Sequence, residues 1–171
     1  MDDPKTLLLI PGVIYGVGLA ELIKAFRPKV YWEISVMASI MILTLIINWF
    51  LFSSRLSVVS ENLGLFALTL ITPMLFTRAC SILSPDAGTQ DTRAHYLEKI
   101  KPFFLLLAIH TSVNVIIQLL IQDDGFNILR YVIIPFLFAS AFVHRLWLRI
   151  ITMVIILGTF MYIFIGHQPG F

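Results

Sequence analysis

Apolar residues in this chain gather into continuous blocks, and charged or turn-forming residues are confined to the short stretches between them. Each block runs for about 17 to 24 residues, enough at 1.5 Å per residue to cross a hydrocarbon core of about 30 Å. Unbroken apolar runs specify helices; barrel strands would alternate apolar and polar positions. The blocks predict six helices, over residues 6–26, 30–53, 62–84, 102–122, 127–143 and 146–166. The fold class expected is therefore all-α, a polytopic membrane helical bundle that forms a single transmembrane domain over residues 1–171. The fifth block is short and is parted from the sixth only by the stretch HRLWLR. A five-span alternative, with one long helix bent at Pro135, stays open on this pattern. Six spans are favoured, because about 40 apolar residues in one helix overrun a bilayer.

Composition reinforces the membrane assignment. Hydrophobic residues make up 58% of the 171 positions and charged residues only 13%, against roughly 25% charged in soluble domains. The net charge of +2 is too small to point to nucleic acid, and its distribution is more informative than its sum. Lys24, Arg27 and Lys29 separate the first two spans, Arg78, Arg93, Lys99 and Lys101 surround the third connection, and Arg145 and Arg149 mark the last turn. The opposite side collects only Lys5, Arg55 and Arg130. The positive-inside rule then puts both termini outside and three basic turns in the cytoplasm. Two acids near the N-terminus, Asp2 and Asp3, stand where a secretory signal carries basic residues, so the N-terminus is expected to be retained. The single cysteine, Cys80, excludes an internal disulfide framework and any CxxC-type site.

The longest connection, SPDAGTQDTRAHYLEKIKP over residues 84–102, carries both charges. Its second half predicts a short interfacial helix with Tyr96, Leu97 and Ile100 toward lipid. Pro102 suits the first turn of the fourth span.

Three constellations stand out from the apolar background. In the fourth span His110, Asn114 and Gln118 fall at i, i+4 and i+8, stacking three hydrogen-bonding side chains on one helix face. Such a stripe either lines a wet path for water or an ion or joins helices by interhelical hydrogen bonds of about 0.6 to 2 kcal/mol each. Asn48, expected near the outer end of the second span, is the natural partner for Asn114 or Gln118. The second constellation is Glu21 and Glu33 beside the first basic turn, with Arg78 able to snorkel to the same surface. The simpler expectation is a solvated charge cluster with Lys24, Arg27 and Lys29; the functional one is the cytoplasmic mouth of a cavity. The third is Gly12, Gly16 and Ala20, two small-xxx-small steps that predict a helix-packing face, toward either an internal helix or another subunit. Pro11 and Pro73 are expected to loosen their helices, freeing carbonyls that either serve an ion site or, as is commoner, are satisfied by the hydroxyls of Thr69 or Thr72 or by water.

No GxxxxGKS, HExxH or GxSxG motif and no deep pair of acids is present, so an enzyme is not expected. Nor is a cofactor or metal: haem ligation by His110 would need a second histidine at similar depth, and His95, His144 and His167 fall near interfaces.

The segment GVGLAELIKAFRPKVYWEI, the outer NWF and the RAHYLEKIKPFF that leads the fourth span resemble a loose group of small uncharacterised bacterial inner-membrane proteins. The resemblance implies six spans, a Gly-rich first helix, a basic turn followed by Tyr-Trp, and an Arg-x-x-Tyr segment before the fourth span. It implies no activity, and Glu33 departs from the polar residue usual beside Trp32. Two functions are expected from these features. One is a small channel-like or solute-pathway component, acting as a homo-oligomer or within a larger membrane assembly in the lipid bilayer. The other is a sensor, anchor or accessory subunit, as in a stress or defence system, docking a partner through Arg93, Tyr96 and Lys99.

Overall fold

The structure is a computed structural model that describes residues 7–121, 127–143 and 145–166. Lys5, His144, His167 and the expected span ends at residues 6 and 122 lie outside the described residues. The described chain is helical: α1 (Leu9–Ile23), α2 (Trp32–Ser60), α3 (Leu63–Leu83), α4 (Thr92–Leu120), α5 (Asn127–Phe142) and α6 (Leu146–Gly166), with a short 3-10 turn at Lys24–Phe26 after α1. The stretch Leu9–Phe26 and the helices α2, α3 and α4 are long and apolar enough to cross a membrane.

Two helices exceed their expected bounds. α2 continues past residue 53 because its serines turn their hydroxyls back onto the helix, Ser53 to the Phe50 carbonyl at 2.8 Å and Ser54 to that of Leu51 at 2.9 Å. Polar side chains satisfied in this way do not end a helix. Asn62 closes the connection by accepting the Leu65 N–H at 3.1 Å and so capping α3. α4 begins ten residues before Pro102, where Asp91 accepts the Ala94 N–H at 2.9 Å. The expected separate interfacial helix is thus the first part of α4, and Pro102 lies inside it. The proline withdraws a donor from the carbonyl of Glu98, and α4 runs on through that single lost bond. Tyr96 and Ile100 do not face lipid; each is 1% exposed, whereas Leu97 on the same stretch is exposed.

The chain breaks between α5 and α6, and Thr152 of α6 bonds back to Ser140 of α5 at 2.8 Å. A bonded pair twelve positions apart requires a reversal of direction, so the single long helix bent at Pro135 is ruled out. Pro135 sits within α5.

α3 lies between α1 and α4, α5 packs on α4, and α2 and α6 close the bundle by touching each other. The core is rich in rings and long aliphatic chains, with Phe76, Phe103, Phe104, Leu22, Ile34 and Met37 almost wholly enclosed. α1 turns Tyr15, Gly18 and Leu22 inward, a spacing of three and four residues that defines one helix face. Gly18 permits close approach of α3, because a Cβ there would stand 3.0 Å from Thr77 Oγ1 and 3.4 Å from Thr77 Cα. Thr77 donates in turn to the Ile14 carbonyl of α1 at 2.8 Å.

Within the chain, α1 packs through Tyr15, Gly18 and Leu22 and not through the expected face of Gly12, Gly16 and Ala20. Gly12 abuts the Trp49 ring, but Gly16 and Ala20 are exposed, and nothing lies within 4 Å of a Cβ at Gly16. Trp49 of α2 packs against α1 at Gly12. Lys29 adopts a positive φ of 69° in the turn leading to α2, a region that costs a side-chain-bearing residue roughly 1–2 kcal/mol.

Candidate functional site

Pro73 prepares the first polar cluster. Lacking an N–H, it leaves the Thr69 carbonyl of α3 without its usual helical donor, and the Thr72 hydroxyl fills that role at 2.9 Å. The Thr69 hydroxyl likewise donates to the Phe66 carbonyl at 2.7 Å. The Thr72 carbonyl then faces His110 of α4, whose Nδ1 is 3.0 Å away. A carbonyl oxygen only accepts, so Nδ1 carries the hydrogen.

The other ring nitrogen, Nε2, meets the amide nitrogens of Asn48 at 3.1 Å and Asn114 at 3.2 Å. The Asn114 amide nitrogen also donates to the His110 carbonyl at 3.1 Å, which fixes the orientation of that amide. Amide N–H donors converging on Nε2 demand its lone pair. His110 is accordingly a neutral imidazole with its hydrogen on Nδ1. Asn48 joins the stripe through His110 rather than through Asn114 or Gln118. Nor does it lie at the end of its helix, since α2 runs on to Ser60. Gln118 is fully buried further along α4 and lines neither of the cavities described next.

Asn48, His110 and Asn114 lie on the wall of a cavity of about 80 Å³ between α2, α4, α5 and α6. Its other polar lining comes from Thr44, Thr111 and Thr159, and its apolar walls include Ile40, Met41, Leu137 and Phe160. Asn48 and Asn114 also border a second cavity of about 20 Å³, shared with Tyr15, Thr69, Thr72 and Arg55. The two asparagines thus form a partition between the larger space and the smaller one.

A second polar cluster lies about 22 Å along α2 from Asn48, counted at 1.5 Å per residue. Glu33, fully buried, accepts from Arg149 of α6 at two oxygens, Nε to Oε2 at 2.9 Å and the Nη2 nitrogen to Oε1 at 3.2 Å. The Tyr31 hydroxyl donates to Glu33 Oε1 at 2.6 Å, and the Arg149 guanidinium stands 6.0 Å from the centre of the Tyr96 ring. In place of the expected solvated cluster, Glu33 is enclosed with a cation from the far end of the sequence. Glu21 keeps its local partner, Lys24, at 2.7 Å. Arg78 is exposed on α3 and is absent from the Glu33 pair, whose place for a cation Arg149 takes. The buried position of Tyr96 also removes it from any docking face; Arg93 remains exposed over the Tyr31 ring and Lys99 pairs with its neighbour Glu98.

The connections that carry these charges touch one another at one end of the bundle. The Tyr31 N–H donates to Thr92 at 2.9 Å, Ser84 donates to the Glu21 carbonyl at 2.8 Å, and Lys101 lies over the Phe142 ring.

Sequence inspection missed the α6 contribution. Arg149, Thr152, Ile156 and Thr159 follow at steps of three, four and three, one inward face bearing a cation and two hydroxyls. The spacing was there to be read, but the single mid-span hydroxyls of threonine are weak signals in a membrane helix. No group of three His, Cys, Asp or Glu side chains suited to a metal occurs among the described residues. Comparison with protein-family profiles, with curated proteins and with solved structures finds no match.

Proposed function

We propose that this chain is a non-enzymatic component of a solute pathway in a bacterial inner membrane, working within an assembly, with the space around His110 as the pathway's interior station. The observation that carries this proposal is the coincidence of the His110, Asn48 and Asn114 cluster with a cavity of about 80 Å³ on one side and a smaller one on the other. Hydrogen-bonded glue between helices gains nothing from adjacent space, since interiors are close-packed and voids are destabilising. A mainly apolar space with several polar groups in its wall is suited to a small solute that is uncharged and carries a few hydrogen-bonding groups. Between this station and the Glu33–Arg149 pair lie the buried side chains of Met37, Ile40 and Met41. The pair joins the first turns of α2 and α6 and so acts as the closure of the seam between two cavity-lining helices.

Reconstituted vesicles test the proposal. Solute flux measured with the intact chain should fall sharply in His110→Leu and Asn114→Leu variants that still insert and elute as a single folded species. Unchanged flux with lowered thermal stability would make the cluster adhesive packing and overturn the pathway.

A further inference from the structure

The hydrogen-bond directions around the larger cavity define what it admits. Thr44 donates to the Ile40 carbonyl at 2.9 Å, Thr111 to that of Leu107 at 2.8 Å and Thr159 to that of Ile155 at 2.9 Å. All three hydroxyl protons are thereby committed to their own helices, and what each hydroxyl retains is a lone pair. The Nδ1 hydrogen of His110 is committed to Thr72, and Nε2 is occupied by amide donors. Asn114 uses its amide nitrogen on His110 twice, at the ring and at the carbonyl. The one donor left over in this set is the second N–H of Asn48.

Among the described residues, no Asp, Glu, Lys or Arg belongs to the lining of the larger cavity. An anion entering it would exchange its hydration for hydroxyl lone pairs, and a cation would find no counter-charge. Burying either ion in such surroundings is heavily unfavourable. A neutral molecule bearing several N–H or O–H groups meets none of these penalties, and the hydroxyl lone pairs accept from it. From this we infer that the pathway is selective for small uncharged solutes that donate hydrogen bonds and excludes ions of both signs. The inference rests on the pathway proposal above and adds the substrate class to it.

The probes are urea and glycerol for the neutral class, and K⁺ and Cl⁻ for the ions. Purified full-length chain is reconstituted into lipid vesicles; osmotic volume changes read urea and glycerol entry, and entrapped dyes read the ions. The expected result is urea or glycerol entry above that of protein-free vesicles, with K⁺ and Cl⁻ at the protein-free rate. A Thr44→Val, Thr159→Val double variant keeps side-chain volume but removes two acceptors, and should slow urea entry about fivefold, the effect of roughly one net hydrogen bond. Thr111→Val replaces it if the double variant does not fold. Passage of K⁺ or Cl⁻, with or without urea, overturns the substrate class while leaving a pathway. Undiminished urea entry in the folded valine variants also overturns the class, because the lone pairs would then play no part. Absence of flux for all four probes overturns the pathway itself.

Discussion

At the residue scale, the Glu33–Arg149 pair concentrates the largest electrostatic stakes. Both side chains are nearly inaccessible, at 0% and 4% exposure, so removing one partner abandons the other in a low-dielectric interior. Arg149→Met or Glu33→Gln is expected to cost about 3–5 kcal/mol, whereas the Glu33→Leu, Arg149→Met double variant should recover most of that loss. Unfolding in mixed detergent micelles measures both; equal instability of single and double variants would contradict the argument. His110 makes a subtler prediction because it joins Asn48 and Asn114 through one nitrogen. Asn48→Ala should lose about 0.6 to 2 kcal/mol in the native background and much less once His110→Leu is present. Full additivity in that double-mutant cycle would show that the amide contributes independently of the ring.

At the element scale, α1 separates two kinds of small residue that look alike in sequence. Gly18 lies where α3 comes closest, and Gly16 faces outward with open space beyond its Cα. Gly18→Leu should destabilise by about 1–3 kcal/mol or more through forced separation of α1 and α3. Gly16→Leu should be neutral or stabilising by up to about 1 kcal/mol, from helix propensity. Thermal melting of the two variants in one detergent decides the matter, and the reverse order would restore the Gly12, Gly16 and Ala20 face as the internal contact. α4 carries a related lesson about proline. Pro102 suggested a helix start, yet the Asp91 cap lets the helix begin ten residues earlier with the proline inside it.

For the whole molecule, Cys80 is a natural reporter. It is the chain's one cysteine and is fully enclosed between α1 and the rest of the bundle. Alkylation by a membrane-permeant maleimide should therefore track opening of the bundle, remaining slow in the native protein and accelerating in Gly18→Leu and Arg149→Met. Rapid labelling of the native protein at a rate indifferent to these substitutions would mean that Cys80 is reached without unfolding. The same assay links the scales, because it reports whether loss of a single ion pair at one end loosens helices packed elsewhere.

Hydrophobic block length by itself determined that the chain is helical and suited to a membrane, since burial of backbone polar groups in lipid leaves continuous apolar runs few alternatives. Spacing alone also put His110 and Asn114 on one face, because a four-residue step is a local property of any α-helix. It did not reveal which helices meet. Arg149 lies 116 positions from Glu33, and the nearer Lys24, Arg27 and Lys29 were equally good cations on paper. Tyr96 is buried on a stretch that sequence assigned to the lipid interface, and Thr44, Thr111 and Thr159 acquire a common cavity only when three helices converge. Tertiary structure decided these matters because side-chain partnership across a bundle depends on helix order, rotation and register, and near-uniform apolar sequence encodes none of the three strongly.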